Sequence, residues 1–177
     1  MASVPLPKIA VHPSLTTTVD QKVDITVSKL SPEQHITLRA RTIDDSKVVF
    51  ESFAHYKANK NGEVSLLVSS QPSMGGSYTG VEPMGLFWSM KPVARPDRDD
   101  LFRKRDVTTP LKVALDVYSE HEREFEQRDK MVSVTLLRSY MGPGVTRCYI
   151  EEKRFYGTLF LPPGDGPFPG ICISNLL

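Results

Sequence analysis

Four histidines, two cysteines and one serine in a glycine-rich stretch are the residues here with nucleophilic, acid–base or metal-binding chemistry in reach. A serine hydrolase needs its nucleophile on a tight strand-to-helix turn of the form Gly-x-Ser-x-Gly. Gly75-Gly76-Ser77-Tyr78-Thr79 approaches that pattern but has Thr79 where the second glycine belongs, so Ser77 reads as a loop serine. His12, His35, His55 and His121 show no His-x-His or His-Glu-x-x-His spacing, which argues against a metal site. His121-Glu122 opens the metalloprotease pattern, but Phe125 stands where its second histidine would be. His55 ends an alternating run beside Tyr56 and reads as a structural hydrogen-bond partner rather than an acid–base catalyst. Cys148 and Cys172 lie in strand-like runs, where thiols behave as small buried hydrophobes. No Gly-x-Gly-x-x-Gly and no phosphate loop occurs. This reading gives no catalytic residue, no cofactor site and no metal site.

Charge and composition narrow the partners. Lys and Arg total 22 against 21 Asp and Glu, a net charge of +1, so no long-range field favours nucleic acid or an acidic membrane surface. No apolar run approaches the ~20 residues that span a bilayer. Met1 to Ala10 lacks a basic stretch followed by an apolar one, so no secretory signal is expected. Two cysteines cannot build a disulfide scaffold, and no Asn-x-Ser/Thr acceptor is present. The expectation is a soluble, reduced, intracellular protein.

The elements that must position these residues follow a period of two. Val23, Ile25 and Val27 alternate with polar neighbours; so do Ile36, Leu38 and Ala40 after Ser31-Pro32-Glu33. Val49 to His55 forms a third run, and Asn59-Lys60-Asn61-Gly62 predicts a tight hairpin to a return strand with Val64, Leu66 and Val68. Leu111 to Val117 and Val132 to Leu136 alternate likewise, and the charged His121–Lys130 segment between them reads as a solvated hairpin connection. Six or seven short strands predict a mainly β protein, an antiparallel sandwich over residues 1–140 with Leu66, Val113, Leu115, Val134 and Leu136 among its inward residues. Residues 71–110 interrupt the pattern, and long loops of this kind are often functional. Their run Arg95–Asp106 holds 5 basic and 4 acidic residues and reads as a solvated face. Residues 141–177 change character again: a Gly-Pro turn, a strand Phe155–Leu161 before Pro162-Pro163, and a short apolar run Gly170–Ser174 that reads as a buried strand.

Three motifs then carry a resemblance. They are Ala54-His55-Tyr56-Lys57-Ala58-Asn59 with Gly62-Glu63-Val64, the eighteen residues Gly75–Pro92, and Gly142–Arg147 with Gly157–Gly164 and Gly166–Gly170. In that order, over nearly the whole chain, the sequence resembles the acyl-CoA thioesterase and bile acid-CoA:amino acid N-acyltransferase family. The resemblance implies an N-terminal immunoglobulin-like β-sandwich followed by an α/β-hydrolase domain, which carries the catalytic triad and acts on acyl-CoA thioesters. It implies that residues 141–177 are a linker and the truncated start of that second domain. No position here matches the triad, so the chain alone is expected to be inactive, with acyl-CoA as substrate only in the full-length context. A cytoplasmic or peroxisomal location is implied, although Asn175-Leu176-Leu177 is not a Ser-Lys-Leu address.

Met84, Leu86, Phe87, Trp88 and Met90 are too apolar for a free loop. Two roles remain open for them: closing one end of the sandwich core, or forming an interdomain contact with the hydrolase domain. Two functions from different classes stay open as well. One is the accessory domain of a thioesterase or acyltransferase; the other is a non-enzymatic interaction module that binds a partner protein or the full-length enzyme. The open strand edges of the C-terminal segment also predict self-association.

Overall fold

Alternating apolar and polar residues commit a chain to strands, and a strand buries its apolar face only after it finds partners. The structure, a computed structural model, describes residues 6–67, 71–94, 101–126, 128–153 and 155–173. Its strands, in chain order, are β1 (Lys8–His12), β2 (Thr16–Thr18), β3 (Asp24–Ser28), β4 (His35–Ile43), β5 (Val49–Lys57) and β6 (Val64–Ser65). A one-turn helix α1 (Gly85–Trp88) and β7 (Lys91–Pro92) follow, then β8 (Leu111–Ser119), β9 (Val132–Ser139), β10 (Thr146–Glu152) and β11 (Phe155–Leu161). The chain divides into two compact units, Met1–Tyr140 and Met141–Leu177.

The first unit is mainly β and built as a sandwich. One sheet runs β1-β3-β6 and the other β2-β9-β8-β4-β5-β7. Ile9, Ile25 and Val27 from the small sheet, with Val23 just before β3, share one core with Ile36, Leu38, Ala40, Val113, Leu115, Val117 and Leu136 from the large one. Leu66 is buried there too, and Val134 packs against the cluster while partly exposed. Each Ile or Leu taken fully out of water contributes about 1.5–3 kcal/mol, which offsets the ordering of its own segment.

Four sequence expectations are corrected. The sheets are not wholly antiparallel, because β2 pairs in parallel with β9, Thr16 opposite Leu137. Asn59–Gly62 makes no hairpin between neighbours: β6 pairs with β3, so the chain crosses from one sheet to the other. The Asn59 carboxamide oxygen accepts the N–H groups of Asn61 and Glu63 at 2.9 and 3.0 Å, and Gly62, at φ 71°, offers its carbonyl to Leu30 N–H. A Cβ on Gly62 would lie 2.0 Å from the Leu30 carbonyl oxygen, so the glycine serves a close crossing. Val68 lies outside the described residues.

The third correction concerns charged connections. The one between β8 and β9 is not simply solvated, because it folds back over the large sheet and buries Phe125 against Phe53, Tyr118 and Arg39. In the Arg95–Asp106 run, residues 95–100 lie outside the description, but Arg103–Asp106 is held from the β4–β5 turn. The Asp45 carboxylate accepts the backbone N–H groups of Arg105 and Asp106 at 2.7 and 2.9 Å, and these hold its pKa below the ordinary carboxylate range.

The second unit is a hairpin. Among the described residues β10 pairs only with β11, from Thr146 opposite Leu161 to Glu152 opposite Phe155. The fourth correction falls here. Gly170–Ile173 forms no strand, and Ile171 and Ile173 are 91% and 89% exposed; Ser174 lies outside the described residues. An extended segment without a neighbour leaves its backbone groups to water.

Candidate functional site

The Gly75–Pro92 motif packs along the β5 edge of the large sheet and puts Tyr78 and Leu86 into the core, and its small residues allow that approach. Its first half lies along β5: His55 N–H donates to Gly75 O at 2.9 Å and Ser77 N–H to Phe53 O at 2.7 Å. A Cβ on Gly76 would sit 2.3 Å from that same Phe53 oxygen, so only glycine fits. Tyr78 then turns into the core, where its hydroxyl meets that of Tyr56. Burial pushes both phenols up, Tyr78 to about 12, so the pair stays neutral. Gly85 opens α1 directly on the Tyr78 ring, where a Cβ would come within 2.5 Å. The Ser52 hydroxyl donates to Leu86 O, and β7 pairs with β5 to end the segment.

This packing divides the five apolar residues of the motif. Leu86 is fully buried in the sandwich core. Met84, Phe87 and Met90 are partly buried against that core, and Trp88 is 62% exposed with its ring 6.0 Å from that of Tyr78. With Leu101 and Phe102 they line a cavity of about 400 Å³ on the core face of the large sheet. Arg138 of β9 lies on its wall, 3% exposed, with its guanidinium 5.1 Å from the centre of the Phe87 ring. It donates to Thr17 Oγ1 and to the carbonyls of Val19 and Gln21, each at 2.9 Å. Among the described residues no carboxylate forms an ion pair with it. Burial pulls its pKa down, and the charge of Asp20 offsets part of that. The cavity therefore joins an apolar mouth to a buried cation, an arrangement suited to a complementary surface.

The opposite face of the large sheet gathers the other chemically active residues. Arg39 and Glu51 form an ion pair there, and the Arg39 guanidinium lies 4.6 Å from the Phe125 ring centre. Burial lowers the Arg39 pKa, but the bonds to Glu51 and Tyr118 outweigh it and raise the net value. At the sheet's end His35 Nδ1 lies 3.0 Å from His121 Nε2, and His55 Nδ1 lies 3.0 Å from Thr37 Oγ1. Spacing along the sequence missed this cluster, because β4, β5 and the turn after β8 each supply one ring. The register of β4 against β5 and β8 is the signal that brings them together.

The remaining candidates stay apart. Ser77 Oγ accepts the Phe53 N–H at 3.1 Å, as a loop serine does. His12 ends β1, Cys148 is half-buried in β10, and Cys172 is exposed. Among the described residues no group of three His, Cys, Asp or Glu is arranged to hold a metal. No helix among them is long and apolar enough to cross a membrane.

Comparisons with known proteins give this geometry its context. A profile of the acyl-CoA thioester hydrolase/BAAT N-terminal region matches residues 20–152. The mouse peroxisomal succinyl-coenzyme A thioesterase is 42% identical over 165 residues, covering 92% of this chain and 37% of that protein. Mouse mitochondrial acyl-coenzyme A thioesterase 2 is 42% identical over 165 residues, 92% of this chain and 34% of its own. Mouse acyl-coenzyme A amino acid N-acyltransferase 2 is 44% identical over 154 residues, 86% and 36% respectively. The chain thus spans about a third of the length of these relatives. Its sandwich, its glycine-built segment along β5 and the match over residues 20–152 place it in the acyl-CoA thioester hydrolase/BAAT family, as that family's N-terminal region.

Proposed function

We propose that this chain is the accessory β-sandwich of an acyl-CoA thioesterase or acyl-CoA:amino acid N-acyltransferase, acting by docking a catalytic domain rather than by catalysis. The observation that carries this reading is the match to the family's N-terminal region together with a relative of which the matched residues make up 37%. The docking face is the mouth formed by Met84, Phe87, Trp88 and Met90, which exposes a tryptophan beside a buried cation. An enclosing partner would dry the apolar mouth and place an acidic group near Arg138. Residues 141–177 are the linker and the opening of the catalytic domain in the same proposal. Acyl-CoA is then the substrate of the whole assembly, and a cytoplasmic or peroxisomal location follows the relative named as peroxisomal.

Trp88 is the sole tryptophan, so its emission reports the docking face directly. Titrating the chain with the remainder of the mouse N-acyltransferase, whose own tryptophans are replaced by phenylalanine, should shift Trp88 emission to the blue. Trp88→Ala should weaken that binding at least tenfold by calorimetry. Palmitoyl-CoA hydrolysis, followed by free thiol release, should stay at the buffer rate for the chain alone. Turnover that survives repurification and is lost in Ser77→Ala would overturn the accessory reading.

A second reading rests on the hairpin. Among the described residues β10 and β11 have no partners beyond each other, and they expose Tyr149 and Phe160. Open edges of this kind template self-association. Sedimentation velocity should show dimers that Tyr149→Lys with Phe160→Lys removes; a monomer at every concentration excludes this reading.

A further inference from the structure

Three of the four histidines meet at one end of the large sheet, and their hydrogen bonds allow a proton count. The Thr37 hydroxyl has one hydrogen, and its oxygen lies 2.8 Å from the Glu120 carbonyl, which can only accept. The same oxygen accepts the Glu122 backbone N–H at 2.8 Å. His55 Nδ1, 3.0 Å away, must therefore donate, which leaves Nε2 with the lone pair. The His55 ring stacks on His121 with centroids 4.7 Å apart and planes 25° from parallel. His121 in turn shares one hydrogen with His35 across 3.0 Å, the rings meeting edge to face at 4.6 Å. The His35–His121 bond survives one added proton and breaks with a second, since both nitrogens would then carry hydrogen.

The nearby carboxylates are engaged elsewhere. From the entry to β4, Glu33 pairs with Lys57 of β5, which lies opposite His35. From β5, Glu51 pairs with Arg39 of β4, and from the connection Glu122 pairs with Arg128 at 3.3 Å. Glu120 and Glu124 are exposed to solvent, and Arg123 adds a positive charge that acts on His55. The Ser73–Gly80 segment packed along β5 contains no charged residue. Glu33 also acts on His35 through its charge but is shared with Lys57, so the cluster has only a partial counter-charge for a second proton.

We infer that His35, His55 and His121 form a proton-sensitive latch on the connection between β8 and β9, holding it closed over Phe125 when neutral and releasing it when doubly protonated. The connection is fastened to the sheet's end by Glu120 N–H on the His35 carbonyl, by the Thr37 hydroxyl on Glu120 O and Glu122 N–H, and by the His35–His121 bond, the last of which is the one that responds to protonation. Release would uncover Phe125, now 6% exposed, and the Arg39–Glu51 pair beneath it, turning a covered face into an aromatic and charged one. The sign follows from His55. Burial, then the charges of His121 and Arg123, hold its pKa below the ordinary value. The unfolded chain, with histidines near ~6.5, therefore binds more protons than the folded one below that pH. The stability contributed by a neutral His55 is full above about pH 6.5 and is lost as pH falls through the folded value. This inference is independent of the docking proposal, since it concerns the opposite face.

The test follows histidine ring resonances and amide-exchange protection of the full chain from pH 8 to 5. The Glu122 amide should lose protection at least tenfold below pH 6, while Leu115 in β8 keeps its own. His121→Phe preserves the stack but removes one titrating ring, so His55 should titrate higher and most of the pH dependence should disappear. His12→Gln, in β1, should change neither readout. Unchanged protection of Glu122 down to pH 5, or His55 titrating at or above the ordinary value in the wild type, would overturn the latch. Should His121→Phe fail to fold, His35→Gln supplies the same comparison, because it too limits the cluster to two titrating rings.

Discussion

Strand β4 is buried on both faces from Ile36 to Ala40, whereas β10, an equally regular strand, exposes most of its residues. The two differ in what returns to cover them. β4 lies between β5 and β8, with the small sheet and Leu86 on one side and the Phe125 connection on the other. Among the described residues β10 has one neighbour, and its aromatic residues include Tyr149 at 73% exposed. A strand's alternation decides which residues share a face, but long-range segments decide whether that face becomes an interior. The same contrast separates a domain that can be stable alone from a hairpin that needs further layers.

The sharpest way to break this comparison is to remove the same side chain from each region. Leu115→Ala empties a fully buried site in the core and should cost about 2–5 kcal/mol in urea unfolding followed by far-UV circular dichroism. Leu159→Ala, at a site 42% exposed in β11, should stay within about 0.5 kcal/mol. Equal losses at both sites would mean that the hairpin is as deeply packed as the sandwich.

A smaller effect should separate two glycines of the recurrent motifs. Gly85→Ala drives a methyl group into the Tyr78 ring, which the Tyr56 hydroxyl holds in place, and should cost about 1–3 kcal/mol. Gly170→Ala meets nothing within 4 Å and should leave the unfolding midpoint unchanged. A neutral Gly85→Ala would show that α1 can slide, and that the Trp88 face is adaptable rather than fixed.

The period of two made most of the sandwich legible before any coordinates, because Val23, Ile25, Val27, Leu38 and Leu115 alternate with polar neighbours on half-buried strands. It carried no information on pairing. Thr16–Thr18 is too short and too polar to announce a strand, so the parallel pair with β9 stayed invisible. The residues Asn59–Gly62 announce a turn but not a crossing between sheets, since the turn residues are alike in both cases and Leu30 decides. Phe125 was hidden by the charges around it, although a lone aromatic in a charged connection is what a plug over Arg39 requires. In Gly75–Pro92, composition singled out an apolar segment, and only packing could assign Leu86 to the core and Trp88 to the surface. The histidine cluster needed two strand registers at once, β4 against β5 and β4 against β8, which no local spacing contains.

The smallest expected effect is also the most demanding test of the two-region contrast. The core that holds β1, β3, β4, β8 and β9 together is composed of residues from Ile9 to Leu136. The hairpin's backbone bonds run from Thr146 to Leu161 and stay within it. Deleting Val145–Leu177 should therefore shift the thermal midpoint of the sandwich by no more than about 2 °C, within what a surface change produces in a domain of this size. Because the deletion also removes the exposed Tyr149, Tyr156 and Phe160, it should lower light scattering on heating. Loss of the cooperative transition would show that the last 33 residues complete the sandwich core, and that the unit ending at Tyr140 does not fold alone.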